Sequence, residues 1–177
     1  MDTASINPEI IALVALVISF MSILLTFLSL RNQHIHNRKS VRPIASIILG
    51  DYEQRIFVKI VNSGIGPLII DKIEIFNKNI ASNNLIDMIS IEPPEGLEWK
   101  DYVIETEGRA LRVSEELILL EIEGLDATVD EELEEEYELF IEALRKFLYE
   151  TTIVVNYTDL YEKKFKVRRE LTLFEDY

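Results

Sequence analysis

Between Ile10 and Leu30 the chain reads IIALVALVISFMSILLTFLSL, a run with no charge, Gly or Pro. At ~1.5 Å rise per residue this run matches the ~30 Å hydrocarbon core of a bilayer, and it predicts a transmembrane helix. Its small and hydroxylated residues are Ala12, Ala15, Ser19, Ser22, Thr26 and Ser29, spaced by alternating steps of three and four. Every other position from Ile10 to Leu30 is Ile, Leu, Val, Phe or Met. Such a 3.5-residue seam favours close, left-handed helix packing, with Ser and Thr able to bond between helices. No second hydrophobic span occurs, so the seam predicts association with other copies or with another protein.

The flanks set an expected topology. The leader MDTASINPE carries Asp2 and Glu9 in place of a basic region, and the apolar run ends without a small-residue cleavage site, which argues against a cleaved signal peptide. Arg31, Arg38, Lys39 and Arg42 follow the span. By the positive-inside rule the amino terminus faces out and the larger domain faces the cytoplasm. The expected organisation is a short outer tail over 1–9, a span over 10–30, a basic juxtamembrane segment over 31–42 beside membrane lipid, and one domain over 43–177. The segment 31–42 reads either as a continued helix, because the seam phase runs on through Gln33 and His36, or as a basic linker.

Within the domain, SIILGDYEQRIFVKIVNSGIGPLIIDKIEIF gives three strand-like runs parted by turn residues. In the second run Ile56, Val58 and Ile60 share a face, and in the third Ile69, Ile73 and Ile75, interrupted by Asp71. Residues 77–98 read mostly as loop, with a helical turn near Leu85 to Ile89. Strands are expected over 101–105 and 116–123. Ala127 to Glu150 predicts a helix, with Thr128 and Glu131 as a capping box and Arg145 and Lys146 at the negative end of the dipole. Its apolar face comprises Leu133, Tyr137, Phe140, Ile141, Leu144, Phe147 and Leu148. The remainder predicts a hairpin, whose returning strand turns Phe165, Val167, Leu171 and Leu173 to one face, interrupted by Arg169, and Lys164, Lys166 and Arg168 to the other.

Two stretches resemble a known family. VKIVNSGIGPLII resembles the N-x-G-x-G-P turn of bacterial membrane-anchored immunoglobulin-like β-sandwich proteins, and NYTDLYEKKF resembles the Tyr-x-Asp hairpin that closes those domains. Members with a proposed role include membrane effectors of antiphage systems such as Hailong, in which a companion nucleotidyltransferase makes a nucleotide signal. The resemblance implies one N-terminal transmembrane α-helix, then an all-β immunoglobulin-like sandwich carrying an acidic amphipathic helix before its last hairpin. It also implies structural roles. Gly64 and Gly66 would supply turn conformations closed to other residues, Pro67 would fix the entry into the next strand, and Asn62 would bond the local backbone. The sequence departs from the family where Leu160-Tyr161-Glu162 replaces the usual Gly.

Beyond residue 42 there is neither His nor Cys, which leaves no Ser-His-Asp or Cys-His nucleophile and no ordinary zinc site. Gly64-Ile65-Gly66 runs into Pro67 instead of a helix start, so it is no dinucleotide fingerprint. The net charge of -14 opposes general nucleic-acid coating. These features predict a protein without catalytic residues, metal or cofactor. Two functions stay open. One is a homo-oligomeric effector, of four or more copies, whose Ser/Thr seam lines a pore gated by the domain. The other is an anchored interaction or scaffold module with no pore. Under the first, Lys164, Lys166 and Arg168, with Tyr161 for stacking, are candidates to bind a nucleotide or short single-stranded nucleic acid. Pairing of those cations with the acidic helix is the bland alternative.

Overall fold

Pro8 lacks the N–H that the first turn of a helix leaves unbonded, and it opens a helix that continues to Ser40 (α1, Pro8–Ser40). The computed structural model describes residues 8–52, 55–94, 97–124 and 131–174. The chain forms two compact units, Met1–Ser40 and Val41–Tyr177. In the first, α1 is long and apolar enough to cross a membrane, and all its apolar side chains from Ile10 to Leu30 are exposed. The basic juxtamembrane residues up to Ser40 are helical, so the continued-helix reading holds and the linker reading does not.

The second unit is a sandwich of two antiparallel sheets. Its strands are β1 (Ala45–Tyr52), β2 (Arg55–Asn62), β3 (Leu68–Asn77), β4 (Ile80–Ser82), β5 (Trp99–Asp101), β6 (Ala110–Leu111), β7 (Glu116–Glu123), β8 (Thr151–Thr158) and β9 (Lys164–Glu170). One sheet has the order β1-β2-β7-β5 and the other β4-β3-β8-β9, with β6 also paired to β3. Alternation places Ile47, Ile56, Val58, Ile60 and Leu120 from the first sheet, and Ile70, Ile73, Ile153 and Val155 from the second, in one buried core. The three early strands and β7 lie where the alternation predicts them.

The third run differs in phase. Leu68 and Ile70, not Ile69, face the core, and the pairing of β3 with β8 shifts between Ile70 and Lys72. Asp71 is the extra residue of this bulge, so the buried positions pass from even to odd numbers and continue with Ile73 and Ile75. Three further expectations are corrected. The strand expected over 101–105 is the short β5, β4 falls in a stretch read mostly as loop, and β6 in a stretch for which no element was expected. Leu173 leaves the core face because the strand ends at Glu170; a 3-10 turn, Thr172–Phe174, buries Phe174 in its place.

Helix α2 (Glu131–Tyr149) closes the core between β7 and β8. Phe140, Ile141, Leu144 and Leu148 are buried, with Phe140 tilted against Trp99 at 5.8 Å between ring centroids. The expected capping residue Thr128 and the side chain of Glu131 lie outside the described residues. Arg145 makes a bidentate pair with the buried carboxylate of Asp51 on β1, at 2.8 and 3.0 Å, a tertiary tie that the dipole argument did not foresee. In the same last turn of the helix, the Phe147 carbonyl accepts hydrogen bonds from Asn77 Nδ2 and Thr151 Oγ1.

Candidate functional site

Along α1 the six seam residues form one stripe on an exposed helix. An ideal α-helix drifts ~20° per heptad from a 3.5-residue repeat, so the stripe stays in contact with a neighbour only if the helices supercoil left-handedly. The hydroxyls are not idle. Ser19 Oγ, Ser22 Oγ and Thr26 Oγ1 each donate at 2.8 Å to the carbonyl four residues earlier. Each hydroxyl proton is thereby satisfied within its own helix, while the oxygen lone pairs remain outward as acceptors.

The turn after β2 is a clasp on the chain's entry into the sandwich. Asn62 is wholly buried and spans both sheets: Nδ2 donates to the carbonyls of Gly66 at 2.8 Å and Leu111 at 3.1 Å, and Oδ1 accepts from the amides of Gly64 at 3.0 Å and Ile44 at 3.4 Å. Its backbone bonds Glu115 and Ser114, and Ser114 takes a left-handed φ of 62° to do so. The Ser63 amide donates to Ile44 O. Gly64 and Gly66 do not adopt the left-handed φ that the family resemblance implied. They are needed for close approach: a Cβ on Gly66 would lie 1.8 Å from Val41 O, and one on Gly64 would lie 2.4 Å from Ile44 N. Both glycines thus press bare backbone onto Val41–Ile44, with Pro67 leading into β3.

Lys164, Lys166 and Arg168 lie side by side on the outer face of β9, the edge strand of its sheet, opposite Thr158, Asn156 and Val154. Arg168 pairs with Glu170 at 3.0 Å, and among the described residues none of the three bonds α2, so the pairing with the acidic helix is not what holds them. The face is mixed in sign. Glu74 accepts hydrogen bonds from Lys72 and Asn156, which together with the charges of Lys72 and Lys166 hold its carboxyl below the usual glutamate range. Alternating cations on an edge strand also protect it from pairing with another chain. Arg169, which interrupts the apolar face, reaches across the sandwich to the carbonyl of Ile47.

Tyr161 is apart from this strip, in the turn between β8 and β9. There Asp159 Oδ1 accepts from the amides of Tyr161 and Lys163, and Glu162 takes the left-handed φ of 59° at the departure from the family pattern. Arg42, expected only as part of the basic flank, has a second role. Its guanidinium lies 4.7 Å over the ring of Phe165, whose other contacts are Tyr157 at 5.4 Å and Lys163 at 5.5 Å. A shallow cleft elsewhere is lined by Asn83, Asn84, Ile104, Glu105, Thr106 and Glu107, which carry two carboxylates and no cation to hold a phosphate. Among the described residues no group of three His, Cys, Asp or Glu is placed to hold a metal ion. No known protein family matches the chain, and no curated protein matches it.

Proposed function

We propose that this chain is a single-span membrane effector, with its amino terminus outside and its sandwich in the cytoplasm of a bacterial cell. Its helices self-associate along the Ala12-to-Ser29 seam to form or gate an ion-conducting pore. The observation that carries this reading is the unbroken helix from Pro8 to Ser40 with its stripe running the full depth of a bilayer. The outward lone pairs of Ser19, Ser22 and Thr26 suit a wet, cation-accepting wall, and four or more copies are needed for a lumen. The sandwich acts as platform and gate, and it carries no catalytic role. Its likeness to antiphage effectors supports a defence role in which a nucleotide-type signal, made by a partner nucleotidyltransferase, acts on the sandwich. The mixed charge around Lys166 makes that strip a weak anion site.

The back-bonded hydroxyls favour a second reading, an anchored scaffold without a pore, because a lone helix already satisfies them. Strong expression separates the two. The pore reading expects membrane depolarisation that Ser22→Leu with Thr26→Leu abolishes while the protein stays in the membrane fraction. Depolarisation unchanged in this double variant sinks the pore, and no depolarisation by the native chain in the presence of its signal favours the scaffold.

A further inference from the structure

We infer that the end of the sandwich at which the chain enters docks on the anionic headgroup layer of a bilayer; this rests on α1 spanning that bilayer. Four segments meet at this end: 41–44 before β1, 63–67 between β2 and β3, 107–115 around β6, and 159–164 between β8 and β9. The Asn62 network and the Arg42–Phe165 contact tie them together across both sheets.

Each segment lifts apolar side chains into solvent. Ile65 is 72% exposed, Leu160 63%, Val113 53%, Ile44 49% and Tyr161 48%. Scattered single apolar residues are ordinary on a protein surface, but here they crown four neighbouring loops held rigid by buried hydrogen bonds. Charge is segregated with them. From Val41 onward the chain has 15 basic and 30 acidic residues, yet these four segments hold five basic and four acidic ones. Arg42, Arg109, Arg112, Lys163 and Lys164 are all exposed, whereas Asp159 is buried in its turn and Glu115 Oε2 is occupied by the Arg112 amide. Apolar and Tyr tips ringed by Lys and Arg fit a negatively charged interface, where aromatic and basic side chains partition at headgroup depth. The remainder of the domain, with 10 basic and 26 acidic residues, repels that surface and thereby orients the docked end.

The chain has no cysteine, so one introduced thiol can carry a polarity-sensitive fluorophore without background. Full-length protein labelled at Ile65→Cys, Leu160→Cys or, on β4 at the opposite end, Ile80→Cys is reconstituted into nanodiscs containing phosphatidylglycerol and headgroup-level spin-labelled lipid. Docking predicts a blue shift and strong quenching at 65 and 160, neither at 80, and loss of both effects in phosphatidylcholine discs or with Arg112→Glu and Lys163→Glu. Equal quenching at all three sites, or none at 65 and 160, overturns the proposal. So does energy transfer between labelled copies at 65 or 160 without lipid quenching, which assigns the tips to contact between copies. Failure of the span itself is distinct, since the protein then does not enter the discs at all.

Discussion

Glu162 occupies a backbone position that favours glycine, with φ of 59° in the hairpin turn held by Asp159. A left-handed conformation costs a non-glycine residue ~1–2 kcal/mol, of which the extra unfolded-state freedom of glycine gives back ~0.5–1 kcal/mol. Glu162→Gly is therefore expected to stabilise the protein by about 0.5–1 kcal/mol, seen as a later thermal unfolding transition. At Gly66 the argument reverses. Its φ is not left-handed, but a methyl group meets Val41 O, so Gly66→Ala is expected to cost ~1–3 kcal/mol through displaced backbone. Proteolysis near residues 41–44 should rise with it. Glu74 gives a pH test. Hydrogen bonds from Lys72 and Asn156 lower its carboxyl pKa, so its contribution to stability is complete above the ordinary glutamate value and is lost as pH falls through the lowered one. Carboxyl-carbon NMR should show Glu74 titrating low, and Lys72→Met should bring it back toward the ordinary value. That the two glycines serve close approach was not legible in the sequence, because their partner at Val41–Ile44 is fixed by tertiary pairing and not by spacing.

At the scale of elements, patterns of period two and 3.6 carried most of the fold. The first three strands, β7 and the buried face of α2 were legible because each buries a face longer than any local irregularity, and α1 because its uncharged apolar run is long enough to cross a bilayer. Leu144 is fully buried at the centre of the α2 face, and Leu144→Ala is expected to cost ~2–5 kcal/mol in a denaturant titration. The phase of β3 was not legible, since a one-residue bulge at Asp71 leaves no mark beyond a polar residue in an apolar run. Nor was the purpose of Arg169, which looks like an error in an alternating strand until its guanidinium is seen to reach the β1 carbonyl across the sandwich. The seam of α1 was fully legible, but its hydroxyl geometry was not.

For the whole molecule, the charge that keeps the domain soluble works against assembly. From Val41 onward the chain is net -15, so gathering four or more copies brings like charges within a few Debye lengths. An assembly of the proposed kind is expected to strengthen as salt rises from ~0.01 to ~0.15 M, as read by cross-linking in membranes. The order of the strands has a further consequence for synthesis. β3 must wait for β8 and β9, and Arg42, just after the helix, finds Phe165 only when that hairpin has been made. At ~5–20 residues per second, some 130 residues separate the emergence of the helix from completion of the sheet, an interval of roughly six to twenty-six seconds. If the proposed function holds, during this interval the helix is in the membrane without the domain proposed to gate it. On that proposal, hydroxyls that already bond their own backbone would let a newly inserted helix wait alone in lipid, instead of seeking neighbours before its gate is built.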